Sequence, residues 1–377
     1  MASTDVTQFN ALAVSVCPCC GARYPGAARF CAKDGTPLRA QRAEPPGDVL
    51  AGRDVGRFRI LRRLGAGGMS RVYLAEEHGT GRRCAVKTLD PDIAASAEGL
   101  QRFRREATNH ARIGAHPHIC ALLDFGSTAD GVVYIALEYV DGEPLAALLR
   151  RAGSLPPSRA AAIVRQAAGG LAVAHAHGLV HRDLKPENIL LGRAADGSDH
   201  VTLIDFGIAK SPLDTQRLTS TGIAVGTPLF MSPEQLAADA VDARSDIYSL
   251  GLVTFLMLAG SLPFPTDTPD SMTRRMLGQL QRLDEVRPEV GWPAALQDAL
   301  GDALAPAPDE RYARVEDFAR DLQAAVSAWS VARGPSAPIV ERAILRGVAP
   351  RADGGAPPGA DAAASPPSST SPRTPAA

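Results

Sequence analysis

The stretch His181-Arg182-Asp183-Leu184-Lys185-Pro186-Glu187-Asn188-Ile189 places a carboxylate, an ammonium and a carboxamide two and three positions apart, on a loop just ahead of the apolar Ile189-Leu190-Leu191. Phosphoryl transfer needs such a trio close together: a carboxylate to take the proton of an attacking hydroxyl, an ammonium near the γ-phosphate, and an amide oxygen on a magnesium ion. Farther along, Asp205-Phe206-Gly207 follows the apolar Val201-Thr202-Leu203-Ile204 and offers a second magnesium ligand. The fold must therefore gather Asp183, Lys185, Asn188 and Asp205 at one site.

The order of the remaining signals fits that demand. Arg57-Phe58-Arg59-Ile60-Leu61 and Val72-Tyr73-Leu74-Ala75 alternate polar and apolar residues, and Cys84-Ala85-Val86-Lys87 follows the turn Gly79-Thr80-Gly81, so all three read as strands. One helix interrupts them, Leu100 to Ile113, with Leu100, Phe103 and Ala107 on one face. After Asp141-Gly142 the reading becomes helical, over Ser158–His177, Ser245–Ala259 and Val315–Trp329. A sheet first and helices afterwards predict an α+β chain of two lobes with a cleft between them.

These motifs resemble those of the eukaryotic-like, or Hanks-type, Ser/Thr protein kinases of bacteria, from about Phe58 to about Trp329. The resemblance implies the two-lobed kinase fold and ATP- and magnesium-dependent phosphoryl transfer to protein Ser or Thr hydroxyls. Leu64-Gly65-Ala66-Gly67-Gly68-Met69-Ser70-Arg71-Val72 is similar to the glycine-rich loop over the ATP phosphates, with Ser70 in place of the family's third glycine. Val72 ends it fifteen residues before Lys87, the lysine expected on the α- and β-phosphates, and Glu106 lies nineteen residues beyond as the partner that aims it. Ala85 and Leu190 are expected to sandwich the adenine, and Leu137-Glu138-Tyr139-Val140 to form the hinge, with Glu138 and Val140 at the purine edge. Asp183 is the expected base, Lys185 points to a Ser/Thr enzyme, and Asn188 and Asp205 are expected to hold two magnesium ions. His181 and Phe206 are read as packing residues.

From Asp205 to Glu234 the chain resembles an activation segment. Thr227 is expected at the floor that accepts the residue after the target hydroxyl, and Thr219 and Thr221 are expected autophosphorylation sites opposite Arg182. Glu234 is expected to pair with Arg311, and Asp246 to brace the catalytic loop. Only four of the forty basic residues are lysines, and two of those four stand at positions 87 and 185, where a compact ammonium suits phosphate better than a planar guanidinium.

Residues 1–35 hold four of the six cysteines. Cys17, Cys20, Cys31 and Asp34 resemble the knuckles of a zinc ribbon with Asp in the fourth position and Cys19 as a spare thiol. A metal-free knuckle and a redox role stay open beside zinc. Residues 36–56 read as a linker, 57–329 as the kinase unit, and 330–377, rich in Ala, Pro, Gly, Ser and Thr, as a disordered tail. Forty basic against forty-one acidic residues give a net charge of −1, so no overall field recruits nucleic acid or membrane. The start lacks a basic leader and the longest apolar run, Leu250–Gly260, is too short to span a bilayer, so a cytoplasmic protein is expected. Protein substrates and a homodimer for autophosphorylation in trans are the expected partners. Two competing readings are a pseudokinase scaffold, which would need none of Lys87, Asp183, Asn188 and Asp205, and a small-molecule phosphotransferase, which would lack the activation segment.

Overall fold

A computed structural model describes residues 14–16, 23–25, 49–66, 70–206, 228–264 and 271–333. The strands β1 (Val14–Val16) and β2 (Arg23–Pro25) pair antiparallel, with Val14 opposite Pro25. The first lobe follows as β3 (Asp54–Val55), β4 (Phe58–Ala66), β5 (Ser70–Glu77), β6 (Arg83–Leu89), α1 (Pro91–Ala94), α2 (Ala97–Ile113), β7 (Leu122–Ser127) and β8 (Val133–Glu138). Its six strands form one antiparallel sheet in the order β3-β4-β5-β6-β8-β7.

The hairpin between β5 and β6 turns on Gly79 and Gly81, both at positive φ, where a Cβ would be strained. It sets Lys87 opposite Val72 on one side and Ile135 on the other, in the middle of the sheet. Ser96 caps α2 by accepting from the Gly99 N–H, which starts the helix one turn before the expected Leu100. Phe103 and Ala107 of α2 then pack on Leu89 and Ile135, as their spacing predicted.

The first lobe takes in residues from the stretch expected as linker. Gly52 donates to the Ile60 carbonyl, Val55 pairs with Phe58, and Leu50 and Val55 are buried with Phe58 and Ile60.

The second lobe comprises β9 (Glu143–Pro144), α3 (Leu145–Ala152), α4 (Pro157–Ala176), β10 (Ile189–Arg193), β11 (Asp199–Leu203), α5 (Pro233–Ala237), α6 (Ala243–Ala259), α7 (Ser271–Met276), α8 (Leu283–Val286), α9 (Ala294–Ala303) and α10 (Val315–Arg333). Helix α6 is its core element: Ile247, Leu250, Val253, Phe255 and Met257 are buried among residues of α4, α9 and α10. Asp242 caps α6 through the Arg244 N–H, and Gly260 in the left-handed region ends it. The strands β9, β10 and β11 make a small antiparallel sheet beside α4. No described helix is long and apolar enough to cross a membrane.

Candidate active site

The small sheet explains how two distant loops meet. In the β10–β11 ladder Ile189 lies opposite Leu203, and the Ile204 N–H donates to the Asn188 carbonyl at 3.0 Å. Asn188 therefore enters one strand as Asp205 leaves the other. Around Asp183 the polar groups converge: Lys185 Nζ donates to Asp183 Oδ2 at 2.9 Å, and Asn188 Nδ2 donates to the Asp183 carbonyl at 2.8 Å and to Oδ2 at 3.3 Å. With its nitrogen turned to Asp183, the Asn188 amide presents its oxygen as the group for a cation.

Two non-glycine residues of the site sit at positive φ, Arg182 at 63° and Asp205 at 52°. Such conformations persist only where the surroundings over-determine them. For Arg182 the surroundings are visible. Asp246 Oδ1 accepts its N–H at 2.9 Å, Asp246 Oδ2 accepts the His181 N–H at 2.7 Å, and Gln235 Nε2 donates to its carbonyl at 2.8 Å. The expected brace from Asp246 is present, and His175 Nε2 adds a contact to the same carboxylate at 2.8 Å. The imidazole of His181 packs on the Phe206 ring at 4.6 Å between centroids, and Phe206 meets His110 of α2 at 5.9 Å. Burial holds the His181 pKa below the ordinary histidine value, which fits a neutral packing residue and no chemical role.

From the first lobe, Lys87 Nζ donates to Glu106 Oε1 at 2.7 Å and to Asp205 Oδ1 at 3.0 Å. Spacing anticipated the first contact; the second joins residues 118 apart and had no signal in the sequence. Burial alone would lower the Lys87 pKa, but Asp205 and Glu106 outweigh it and hold the ammonium charged. Burial also acts to raise Asp205, and Lys87 overcomes it, so that carboxylate stays ionised. Burial pulls Glu106 upward, which leaves Asp205 the more firmly charged of the two.

Ala85 shares the Lys87 face of β6, two residues apart, and is half-buried, as is Leu190 on β10. At the hinge, Glu138 is tied on both sides to Ala121: its N–H donates to the Ala121 carbonyl at 2.9 Å, and its Oε1 accepts the Ala121 N–H at 3.0 Å. Val140 follows at the lobe junction. In the glycine-rich loop, Leu64, Gly65 and Ala66 end β4, while Ser70, Arg71 and Val72 begin β5, with Gly65 opposite Val72. The Arg71 guanidinium is turned to Asp90 at 3.0 Å, so its side chain serves that pair and only its backbone belongs to the loop. Gly67, Gly68 and Met69 lie outside the described residues, as do Thr219, Thr221, Thr227, Cys17, Cys20, Cys31 and Asp34. Cys19 lies outside them too; the two described cysteines, Cys84 and Cys120, are buried, and burial pushes the Cys84 thiol up to about 11 and Cys120 further, so neither is a nucleophile at neutral pH.

Below the cleft, the expected pair is bidentate. Arg311 Nη1 and Nη2 each donate to a Glu234 oxygen at 2.8 Å, and Ser245 Oγ donates to Glu234 Oε1. Ser232 and Gln235 form a capping box at the start of α5, and Gln235 also reaches the Arg182 carbonyl; neither role was anticipated from the sequence.

Comparison with known proteins agrees with this geometry. The protein kinase domain model matches residues 58–322. The serine/threonine-protein kinase Pkn1 of Myxococcus xanthus is 38% identical over 281 residues, covering 74% of this chain and 40% of that protein. PknB of Mycobacterium leprae is 39% identical over 265 residues, covering 69% and 41%. The chain thus spans less than half the length of these two relatives. The crystal structure of the PknI kinase domain of Mycobacterium tuberculosis superposes with a TM-score of 0.57 at 33% identity, over 74% of this chain and 99% of that one. The matching family model, the two-lobed fold and the grouped Lys87, Glu106, Asp183, Asn188 and Asp205 place this chain in the protein kinase family.

Proposed function

We propose that the chain is a Ser/Thr protein kinase that moves the γ-phosphate of ATP to protein hydroxyls. The observation that carries this reading is the single polar cluster in which Lys185 and Asn188 hold the Asp183 carboxylate while Lys87, paired to Glu106, reaches Asp205. In the reaction the acceptor oxygen forms a bond to the γ-phosphorus as the bond to the β-phosphate oxygen breaks, and the hydroxyl proton passes to Asp183. Lys185 stands beside the base and is placed to meet negative charge on the transferred group. Lys87 is placed to hold the α- and β-phosphates once nucleotide competes with Asp205 for it. Asn188 and Asp205 supply the oxygen donors that two magnesium ions prefer, and such ions would neutralise phosphate charge there. Ala85 and Leu190 would cover the adenine, with Glu138 and Val140 at its edge.

Autophosphorylation at Thr219 and Thr221, read by Arg182, would order the segment that leads to Thr227, and a homodimer would allow it in trans. Incubation of the purified protein with labelled ATP and magnesium, with and without cell lysate, tests the reading. Label should enter this chain at residues 219–221 and enter lysate proteins at Ser or Thr. Absence of any transfer by folded protein refutes the activity, and an active enzyme unmodified at 219–221 refutes the switch.

We further propose a zinc ribbon at the N-terminus, held by Cys17, Cys20, Cys31 and Asp34 or Cys19. The pairing of β1 with β2 supports it, because Cys17, Cys19 and Cys20 fall between these strands in sequence. About one equivalent of zinc should copurify with protein prepared without chelators; elemental analysis finding none removes the proposal.

A further inference from the structure

Between the catalytic loop and the large helices runs a short stretch, Leu229-Phe230-Met231, that continues a single 3-10 turn from Pro228 and leads into α5. Three of its successive carbonyls are bound by side chains. Arg275 of α7 donates from Nη2 to the Leu229 carbonyl at 2.9 Å and from Nη1 to the Met231 carbonyl at 3.0 Å. Ser249 of α6 donates to the intervening Phe230 carbonyl at 2.7 Å.

The Arg275 side chain is not a surface charge that happens to lean inward. It is 3% exposed, and its guanidinium lies over the Phe264 ring at 5.3 Å. Enclosing a cation is costly, and an aliphatic side chain could fill the same volume without that cost. What the planar fork adds is two donors in fixed relation, matched here to carbonyls one residue apart. The stretch it holds continues through the Ser232 cap of α5 to Gln235, whose amide donates to Arg182, the residue before Asp183. A displacement of Leu229–Met231 would therefore reach the acceptor side of the cleft, whereas Lys87, Glu106 and the hinge hang from the other lobe.

We propose that Arg275 is a positioning residue for the phosphoacceptor: by clamping the Leu229 and Met231 carbonyls it fixes the floor on which the substrate protein lies, and it leaves the nucleotide side untouched. The inference rests on the phosphotransfer reading above. Steady-state kinetics of the full chain with dephosphorylated casein as acceptor separate the two sides. Arg275→Met should raise KM for casein about tenfold, the effect of losing a charge-assisted pair of hydrogen bonds, with KM for ATP within twofold of wild type. Arg275→Lys keeps the charge but not the fork, and should fall between the two. A merely structural role would lower the melting temperature and move both constants together, and that outcome overturns the proposal. If Arg275→Met fails to fold, Arg275→Lys decides, and an unchanged casein KM in it overturns the proposal as well. A wild type that transfers no phosphate to casein refutes both readings, while an active wild type with an indifferent Arg275→Lys refutes the clamp alone.

Discussion

Two charge clusters in this molecule use the same chemistry for opposite ends. In the cleft, one ammonium serves two carboxylates: Lys87 touches Glu106 and Asp205, and the Asp205 side chain is still 40% exposed. Beneath the cleft, one guanidinium serves one carboxylate twice. Arg311 and Glu234 are enclosed, at 0% and 6% exposure, and further held by Ser245 and by the Ala305 and Pro306 carbonyls. The shared lysine can exchange a partner for phosphate without leaving a buried charge bare. The forked arginine has no such freedom. A site proposed to bind and release nucleotide carries the first kind of pair, and a frame that must not move carries the second.

The sharpest way to break the comparison is to remove one group from each region. Asp183→Asn should lower phosphoryl transfer by roughly 10²–10⁴-fold with thermal unfolding close to wild type, and Lys87→Met should abolish transfer with a smaller loss of melting temperature than Arg311→Ala, because the Glu106 and Asp205 carboxylates it leaves behind are still partly exposed. Transfer assays run beside thermal melts check the pair of claims, and retention of more than a tenth of wild-type transfer in Asp183→Asn contradicts the catalytic assignment. Arg311→Ala should do the reverse. It strands the Glu234 carboxylate in the interior, at a cost of about 3–5 kcal/mol, which for a unit this size lowers the melting temperature by on the order of 10 °C.

What the sequence disclosed follows the same division. Groups whose partners lie at short, fixed spacing were legible: Asp183, Lys185 and Asn188 within one loop, and Glu106 nineteen residues from Lys87. The Glu234–Arg311 pair, 77 residues apart, was legible only through the family resemblance. Contacts made by tertiary packing alone left no trace. Lys87 to Asp205 closes across the lobes, Gln235 reaches sideways from its own cap, and Arg275 reads in sequence like any surface arginine. The boundary near Leu50 was missed for a local reason: β3 is two residues long, and Leu50 sits in the three-residue apolar run Val49-Leu50-Ala51 between Asp48 and Gly52, too short a pattern to show a period.

A smaller effect sharpens the floor side of the comparison. Burial acts to raise the Glu234 pKa, but the bonds from Arg311 and Ser245 overcome it and hold the group below the ordinary glutamate value. A carboxylate depressed on folding adds stability above its unfolded pKa, and loses it as pH falls through the folded one. Glu234→Gln should therefore be less stable than wild type at pH 7, with the gap closing towards pH 4. Urea midpoints at the two pH values measure it, and a gap that widens in acid contradicts the assignment.

The smallest expected effect tests whether distance or enclosure sets the worth of a pair. Arg53 and Asp130 approach to 2.6 Å, closer than the 2.8 Å of Arg311 and Glu234, yet both are about half exposed. In water the Coulomb gain is screened, and holding two mobile side chains in one geometry costs rotamer entropy. Removing one partner also leaves the other solvated and free of any burial penalty, which is the term that makes the floor pair expensive to break. Arg53→Ala should thus change stability by no more than about 0.5 kcal/mol, shift the melt by a degree or two at most, and show less effect still in 0.5 M salt, where screening is stronger. A loss comparable to that of Arg311→Ala would mean that contact distance, and not enclosure, governs both pairs, and the contrast between cleft and floor would lose its basis.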